Sequence, residues 1–421
     1  MPDPITLPDE TVRQIERLGP VDFIVGVASH NNAGTIAAVV QAAVAGLEQT
    51  CPGARVAVVQ ADIGSQDATV ERARAAIGDR IVQAPVAVDR VTRLAPTLAV
   101  RADALRVVFA IAERLGVRGC AVLEPDTVTV ASDGVPRLLG PVAADQADFV
   151  APCYTRHRFA GAITTSIVYP FVRAVYGKRV RYPVGTEFGC SRRLILRYLG
   201  TDMWKTDVAR LGIDISLVIQ ALMSGWRLAQ TNLGVKTETA GDGLDLSGTL
   251  ARVLGALFLE AERTVAVWQK VRGSEVVPVT GGDGSVAVEP VVLDAQRALE
   301  SFRLGERNFR DIWAPVLPPL ALLELQKLSR QPDATFRVPD ALWARIIYDF
   351  ALAYHARVMN RDHLLSAFTP LYSGWLASWI GEMQSAADAE VDARIERLCV
   401  RFEAEKPYFI SRWRSPDRFS P

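Results

Sequence analysis

The chain has 421 residues, enough to bury a large core and to form two domains. Lys+Arg and Asp+Glu each number 47, so the formal net charge is zero and gives no basic footprint for nucleic acid or an anionic membrane. No apolar run approaches the roughly 20 residues of a membrane helix. The opening Met-Pro-Asp-Pro-Ile-Thr lacks the basic region and apolar core of a signal peptide. Cys51, Cys120, Cys153, Cys190 and Cys399 are scattered and odd in number, and no two of the four histidines are closely paired. The expectation is a cytoplasmic protein with reduced thiols and no His-rich metal site.

Residues 9–19 predict a polar amphipathic helix. Val21–Ala28 reads as a buried first strand, followed by the polar turn Ser29-His30-Asn31-Asn32-Ala33-Gly34-Thr35 and an Ala/Val-rich helix, Ile36–Gln49. A second strand, Arg55–Gln60, runs into Ala61-Asp62-Ile63-Gly64-Ser65-Gln66-Asp67, with a helix starting near Ala68. A third strand, Ile81–Ala84, and a long helix, Leu98–Leu115, follow. Strand, polar loop and helix in repetition is the rhythm of a mostly parallel α/β sheet. There is no G-x-G-x-x-G and no Walker A lysine, so dinucleotide and P-loop sites are excluded.

Cys120–Leu123 is a further buried strand, and it ends abruptly in Glu124-Pro125-Asp126. Ligands of open α/β sheets gather at the carboxyl ends of the strands. Two carboxylates there cost desolvation and mutual repulsion unless a cation or substrate compensates them. A divalent metal holding a diphosphate is one such compensation. The same three residues also fit a pair of solvated loop acids around a strand-ending proline.

Taken with its neighbours, the pattern resembles a GT-A glycosyltransferase, the nucleotide-sugar-dependent fold. Asn31-Asn32-Ala33-Gly34-Thr35-Ile36 matches the opening strand-to-helix turn, and Asp62-Ile63-Gly64-Ser65-Gln66-Asp67 resembles an Asp-Asp-Gly-Ser-Thr-Asp loop. Glu124-Pro125-Asp126 stands where an Asp-x-Asp metal motif belongs. The resemblance narrows to the small retaining transferases that form glucosyl-3-phosphoglycerate or mannosylglycerate. Arg101-Ala102-Asp103-Ala104-Leu105, Ala162-Ile163-Thr164-Thr165, Pro183-Val184-Gly185-Thr186-Glu187-Phe188, Gly212-Ile213-Asp214-Ile215 and Asn232-Leu233-Gly234-Val235-Lys236 each resemble a segment of that group. So does the helix running from Asp245-Leu246-Ser247-Gly248-Thr249 through Leu257-Phe258.

The resemblance implies a donor site of Ser29, Asn32, Asp62, Arg101, Glu124, Pro125, Asp126 and Gly185, binding UDP-glucose or GDP-mannose. In it Asp62 meets the nucleobase and Arg101 faces the donor phosphates, where a fork of donors suits phosphate oxygens. For Asp62 the bland reading is a helix cap, a role Asp67 fills more naturally. Thr164 would touch the acceptor, and Glu187 or Asp214 would orient acceptor or sugar hydroxyls. The implied cofactor is Mg²⁺ or Mn²⁺ on Asp126 and Glu124. Where the group has a third, histidine ligand this chain has Thr237-Glu238, so Glu238 is expected to complete an all-oxygen set. An acceptor-side arginine of the group aligns with Ala162, leaving Arg156 or Arg158 to supply the charge.

Gly273–Pro290 is linker-like in composition, which divides the chain into 1–272, a linker 273–290 and a helical region 291–421. Apolar periodicity predicts helical segments at Leu293–Phe309, Pro319–Leu328, Pro339–Met359, Arg361–Met383 and Ala389–Ala404. Their aromatic stretches read as core, and His355 and His363 as structural. By the resemblance this region supports a homodimer. A rival reading is a GT-A protein with a drifted metal site that binds a nucleotide sugar as a sensor or assembly module. A nucleotidyltransferase would need a Gly-rich basic loop after the first strand, which Ser29-His30-Asn31-Asn32 does not provide.

Overall fold

The strand Phe23–Ser29 (β1) is buried along its whole length, as expected for the centre of a parallel sheet covered on both faces. The computed structural model describes residues 5–86, 98–126, 133–223, 225–236, 245–281 and 290–414. In chain order the other strands are Val56–Asp62 (β2), Ile81–Pro85 (β3), Gly119–Leu123 (β4), Phe149–Thr155 (β5), Lys178–Arg179 (β6), Phe188–Ser191 (β7), Leu228–Val235 (β8), Glu275–Val276 (β9) and Val279–Thr280 (β10). Eight of them form one sheet in the order β10-β8-β5-β7-β4-β1-β2-β3. It is parallel except for β7, which runs antiparallel to both β4 and β5. The α/β class expected from the sequence is therefore the one observed.

Two compact units share the chain. The first takes Met1–Thr155, Val180–Lys236 and Val277–Val286; the second takes Arg156–Arg179, Thr237–Val276 and Ala287–Pro421. The sequence divisions at 272 and 290 do not follow these units. Part of the linker-like stretch is sheet: β10 pairs in parallel with β8, Val279 opposite Gln230, and Gln230 Nε2 donates to Val277 O. Glycine-rich composition marked flexibility there, yet a two-residue ladder needs only backbone groups.

In the first unit, Phe23, Val25 and Val27 of β1 join one core cluster with Ile36, Val39, Val40 and Val44 of the helix Ile36–Thr50 and Leu138, Leu139 and Val142 of the helix Gly134–Ala143. On the opposite face Gly26 admits the helix Leu98–Leu115: a Cβ at this glycine would lie 2.4 Å from a methyl of Val108. At the amino ends of β5 and β8, buried Asp148 accepts from Ser191 Oγ (3.0 Å), Arg193 Nη2 (2.7 Å) and Arg227 Nε (3.1 Å). Burial alone would raise its carboxyl, but the Arg227 and Arg193 hydrogen bonds outweigh that and hold it at about 2.

The second unit is mostly helical. The longest helix, Asp388–Arg414, continues well past the expected Ala404 and through Pro407. Arg361–Met383 splits into Arg361–Ser366 and Thr369–Met383. Its interior holds several ions. Arg173, fully buried, pairs with Glu396 (2.5 Å) and Glu403 (2.7 Å). Asp349, also buried, accepts from Tyr408 Oη (2.8 Å) and pairs with Arg412 (3.0 Å). The aromatic stretches are core, with Trp343 stacked on Trp375 and Trp375 on Trp379. His355 stacks on Trp413. Among the described residues no helix is long and apolar enough to cross a membrane.

Two stability predictions follow from these ions. Asp148→Ala removes several charge-assisted bonds and should cost about 2 kcal/mol in urea unfolding. Because the folded carboxyl titrates at about 2, below its unfolded value, this contribution is present above roughly pH 4 and fades as pH falls through 2. Asp349 has the opposite sign. Burial, only partly offset by Arg412 and Tyr408, pushes its carboxyl up to about 7, so its contribution is full below roughly pH 4 and lost as pH rises through 7. Asp349→Asn should flatten the pH dependence of the urea midpoint across that window, and an unchanged slope would assign it to another group.

Candidate active site

Register places the polar residues of the first unit along one sheet edge. Ser29, the last residue of β1, lies opposite Asp62, the last of β2, and Val27 lies opposite Leu123 of β4. Glu124, Pro125 and Asp126 therefore emerge at the carboxyl edge beside both. β7 runs the other way, with Phe188 opposite Val122, so Glu187 enters at that same edge. Thr155 of β5 pairs with Val235 of β8, which brings Tyr154 and Lys236 there too. The chain leaves β1 for β2 on one side and returns to β4 on the other, a topological switch point of the kind where α/β sheets bind ligands.

The two loops on the β1–β2 side are stitched together. Ser29 Oγ donates to Asp62 Oδ1 (2.9 Å) and accepts from Gln60 Nε2 (3.0 Å). Asp62 also accepts from Ser65 N (2.9 Å) and Ser65 Oγ (2.7 Å), so the expected nucleobase acceptor is held rigidly. Asn32 Oδ1 accepts from His30 N, and its backbone O from Ile36 N, opening the following helix. Asp67 Oδ1 accepts from Thr69 N (3.1 Å), while Ala68 rather than Asp67 is the N-cap of the helix Thr69–Ile77. Thr35 Oγ1 donates to Pro125 O (2.8 Å), tying this floor to the Glu-Pro-Asp turn.

Arg101 projects from the first turn of the helix Leu98–Leu115 into three partners. Its Nε meets Asp214 Oδ1 (3.1 Å) and Oδ2 (3.0 Å), and its Nη2 donates to Thr186 O (3.1 Å). Glu124 Oε1 lies 2.9 Å from Nη2, an ion pair by distance whose angle falls short of a hydrogen bond. Burial alone would lower the guanidinium's pKa; Asp214 and Glu124 outweigh this and raise it, so the charge is permanent. Asp214, two residues into the helix Ile213–Met223, is itself raised by burial against Arg101's opposing pull.

A second ion pair stands nearby. Lys236 Nζ lies 3.2 Å from Glu187 Oε2 and 4.9 Å from the centre of the Tyr154 ring, and Tyr154 Oη donates to the same carboxylate oxygen. Glu187 is fully buried, and its Oε1 has no hydrogen-bond partner among the described residues. Gly185 is required by space: a Cβ there would come within 2.5 Å of Pro152 Cγ. Asp126, in contrast, is exposed; partial burial and the neighbouring Glu124 charge raise its carboxyl.

No protein-family model matches the sequence, and no curated protein matches it. Several solved structures do resemble it. One is glucosyl-3-phosphoglycerate synthase from Mycobacterium tuberculosis with Mn²⁺, UDP and glucosyl-3-phosphoglycerate, at 21% identity and a TM-score of 0.39 over 60% of this chain and 86% of that chain. The same enzyme with Mg²⁺ and UDP gives 21% and 0.39 over 58% and 83%. With Mn²⁺, UDP-glucose and phosphoglyceric acid it gives 19% and 0.38 over 61% and 86%. Scores at this level give no residue of this chain a role.

A metal fits part of the expected set. Mg²⁺ is usually held by one or two carboxylates plus substrate phosphates, and exposed Asp126 suits that coordination. Glu124 is already engaged by Arg101. Glu238 lies outside the described residues, and among those described no group of three or more His, Cys, Asp or Glu could hold a metal ion. Thr164 belongs to the second unit, where it begins a π-helical turn, Thr164–Val168. Arg158 donates to Met383 O and Ala386 O and pairs with Asp388, which makes it a structural clamp of that unit. A cavity of about 500 Å³ lined by Arg272, Glu403, Lys406 and Arg414 is also in the second unit. Lys406 there donates to Val175 O and Val271 O.

The residues the sequence left without a role are Tyr154, Thr35 and Lys236. Lys236 was visible only as the end of a strand motif; its pairing with Glu187, 49 positions away, leaves no local trace. For Arg101, the expected outcome of Arg101→Met is a loss of roughly 3–5 kcal/mol, the cost of leaving buried carboxylates uncompensated. Adding Asp214→Asn should recover part of it. A double-mutant cycle in urea reads the coupling, and strict additivity would refute it.

Proposed function

We propose that this chain is a GT-A-type glycosyltransferase that moves a hexosyl group from a nucleotide diphosphate sugar to a small hydroxylated, anionic acceptor such as glycerate or 3-phosphoglycerate. The observation carrying the reading is the contrast at the carboxyl edge between an acid already paired with Arg101, Glu124, and an exposed acid two residues on, Asp126. An exposed carboxylate at a switch point is where a metal–diphosphate is favoured, and nearby Asp62 supplies a fixed acceptor for a nucleobase N–H.

In this reading the donor lies across the ends of β1, β2 and β4. Asp62, oriented by Ser29 and Ser65, takes the base. Asp126 would hold Mg²⁺ or Mn²⁺, which when bound supplies positive charge against the diphosphate. Arg101 positions Glu124 and Asp214 and fixes the Thr186 carbonyl; its Nε and Nη2 are directed at protein partners. The sugar lies over Gly185-Thr186-Glu187, where Glu187 Oε1, without a hydrogen-bond partner among the described residues, suits a sugar hydroxyl better than the engaged Asp214 does. As the bond from the anomeric carbon to the phosphate oxygen breaks, its electron pair goes to the diphosphate. The acceptor oxygen forms the new bond and its proton passes to the departing diphosphate. Retention of configuration rests on the resemblance noted in the sequence.

The test is a thermal-shift matrix of UDP-glucose and GDP-mannose, each with Mg²⁺, Mn²⁺ or EDTA. A ligand at 100 times its Kd stabilises the folded state by about 2.7 kcal/mol, a readable shift. One donor should stand out in metal, and Asp126→Asn should remove the metal-dependent part while leaving the fold intact. Equal shifts in EDTA would favour a metal-free sensor of nucleotide sugars, and no shift with any donor would overturn the reading.

A further inference from the structure

Transfer from a nucleotide sugar leaves a diphosphate that gains negative charge as the bond breaks, and a side-chain cation with unused donors would add to the metal's charge in meeting it. Arg101 is poorly placed for this. One positive charge already faces two carboxylates, Glu124 and Asp214, and Nη2 is directed at Thr186 O. A diphosphate brought against that group meets a net negative charge. Lys236 is placed differently: its one ion-pair partner among the described residues is Glu187, and its next contact, Thr186 Oγ1, is at 3.5 Å. An ammonium has three donors, and the Lys236 side chain remains 23% exposed at the sheet edge.

Resting on the donor reading above, we infer that Lys236, rather than Arg101, is the cation that meets the departing diphosphate, with Glu187 and Tyr154 as its positioning residues. The carboxylate holds one N–H, and the Tyr154 ring bears against the ammonium at 4.9 Å, which fixes the direction of the others. Tyr154 is itself held, since Tyr182 Oη donates to its carbonyl (3.0 Å) and the two rings meet edge to face. Because Glu187 is buried, Lys236 stays in its pair and offers its remaining donors. Swinging away would strand a buried charge.

The readout is the preference for nucleoside diphosphate over monophosphate, measured by calorimetry on the full chain in one Mg²⁺ buffer with UDP, UMP, GDP and GMP. Lys236→Met with Glu187→Gln, a neutral pair that leaves no stranded acid, should lose at least tenfold of that preference while monophosphate affinity stays within twofold. Lys236→Arg should keep most of it. A merely structural ion pair would move both affinities together or neither, so a preference retained within twofold in the double variant overturns the inference. Failure of the wild-type chain to bind any of the four nucleotides is a different result: it overturns the donor reading and this inference with it.

Discussion

The bridge from Arg101 to Glu124 and Asp214 is the constraint on which the carboxyl edge depends. It joins the start of one helix, the end of β4 and the start of a second helix, elements separated in sequence by up to 113 positions. Two carboxylates this close would repel each other and resist burial. A planar guanidinium can hydrogen-bond Asp214 through Nε and face Glu124 with Nη2 because its donors diverge in a fixed plane, which a lysine could not reproduce. The helix Leu98–Leu115 can deliver it only because Gly26 lets that helix sit close on β1. The N-terminal partial charge of the helix Ile213–Met223 adds to the stabilisation of Asp214.

Around that bridge the edge divides into held and available groups. Ser29, Asn32, Asp62 and the Pro125 carbonyl are bound into the floor by hydrogen bonds from neighbouring loops. Such groups can present an acceptor in a fixed direction, which is what recognition of a base requires. Asp126 lies outside this web. Glu187 is fully buried, with one oxygen doubly engaged and the other without a hydrogen-bond partner among the described residues. The pattern combines rigidly held groups with a few less engaged ones, and it follows from strand register: parallel strands bring their loops to one edge, and β7 reverses to add the Glu187 loop to it.

The parallel strands and the polar residues at their carboxyl ends were legible because both are local. A buried apolar run followed by a polar Gly-containing turn identifies a strand end wherever it falls, and β1 to β4 lie within a residue or two of their expected bounds. What was not legible is who pairs with whom. Arg101 carried the right charge for phosphate, and nothing within its own turn reveals that Asp214 and Thr186 take its Nε and Nη2 donors and that Glu124 pairs with it. The same limit hid the Lys236–Glu187 pair and made Arg158 look available for an acceptor. Composition and periodicity each misled once. Gly273–Pro290 looked like a linker, although β10 lies in it. The apolar-periodic segment was expected to end at Ala404, although the helix Asp388–Arg414 continues past it.

The interleaving of the two units explains why composition could not find their boundary. A division at 272 or 290 assumes that the helical region is a separate appendage. The segment Arg156–Arg179 belongs to that helical unit yet precedes β7 in the chain. Its Arg173 is fully buried and pairs with Glu396 and Glu403 of the last helix, 223 and 230 positions later. A buried guanidinium stripped of those acids would carry an uncompensated charge in a low-dielectric interior, among the costliest single defects a fold can contain. The C-terminal helices therefore complete the burial of a segment that lies between β5 and β7, so the chain cannot be cut at the glycine-rich stretch without exposing that charge.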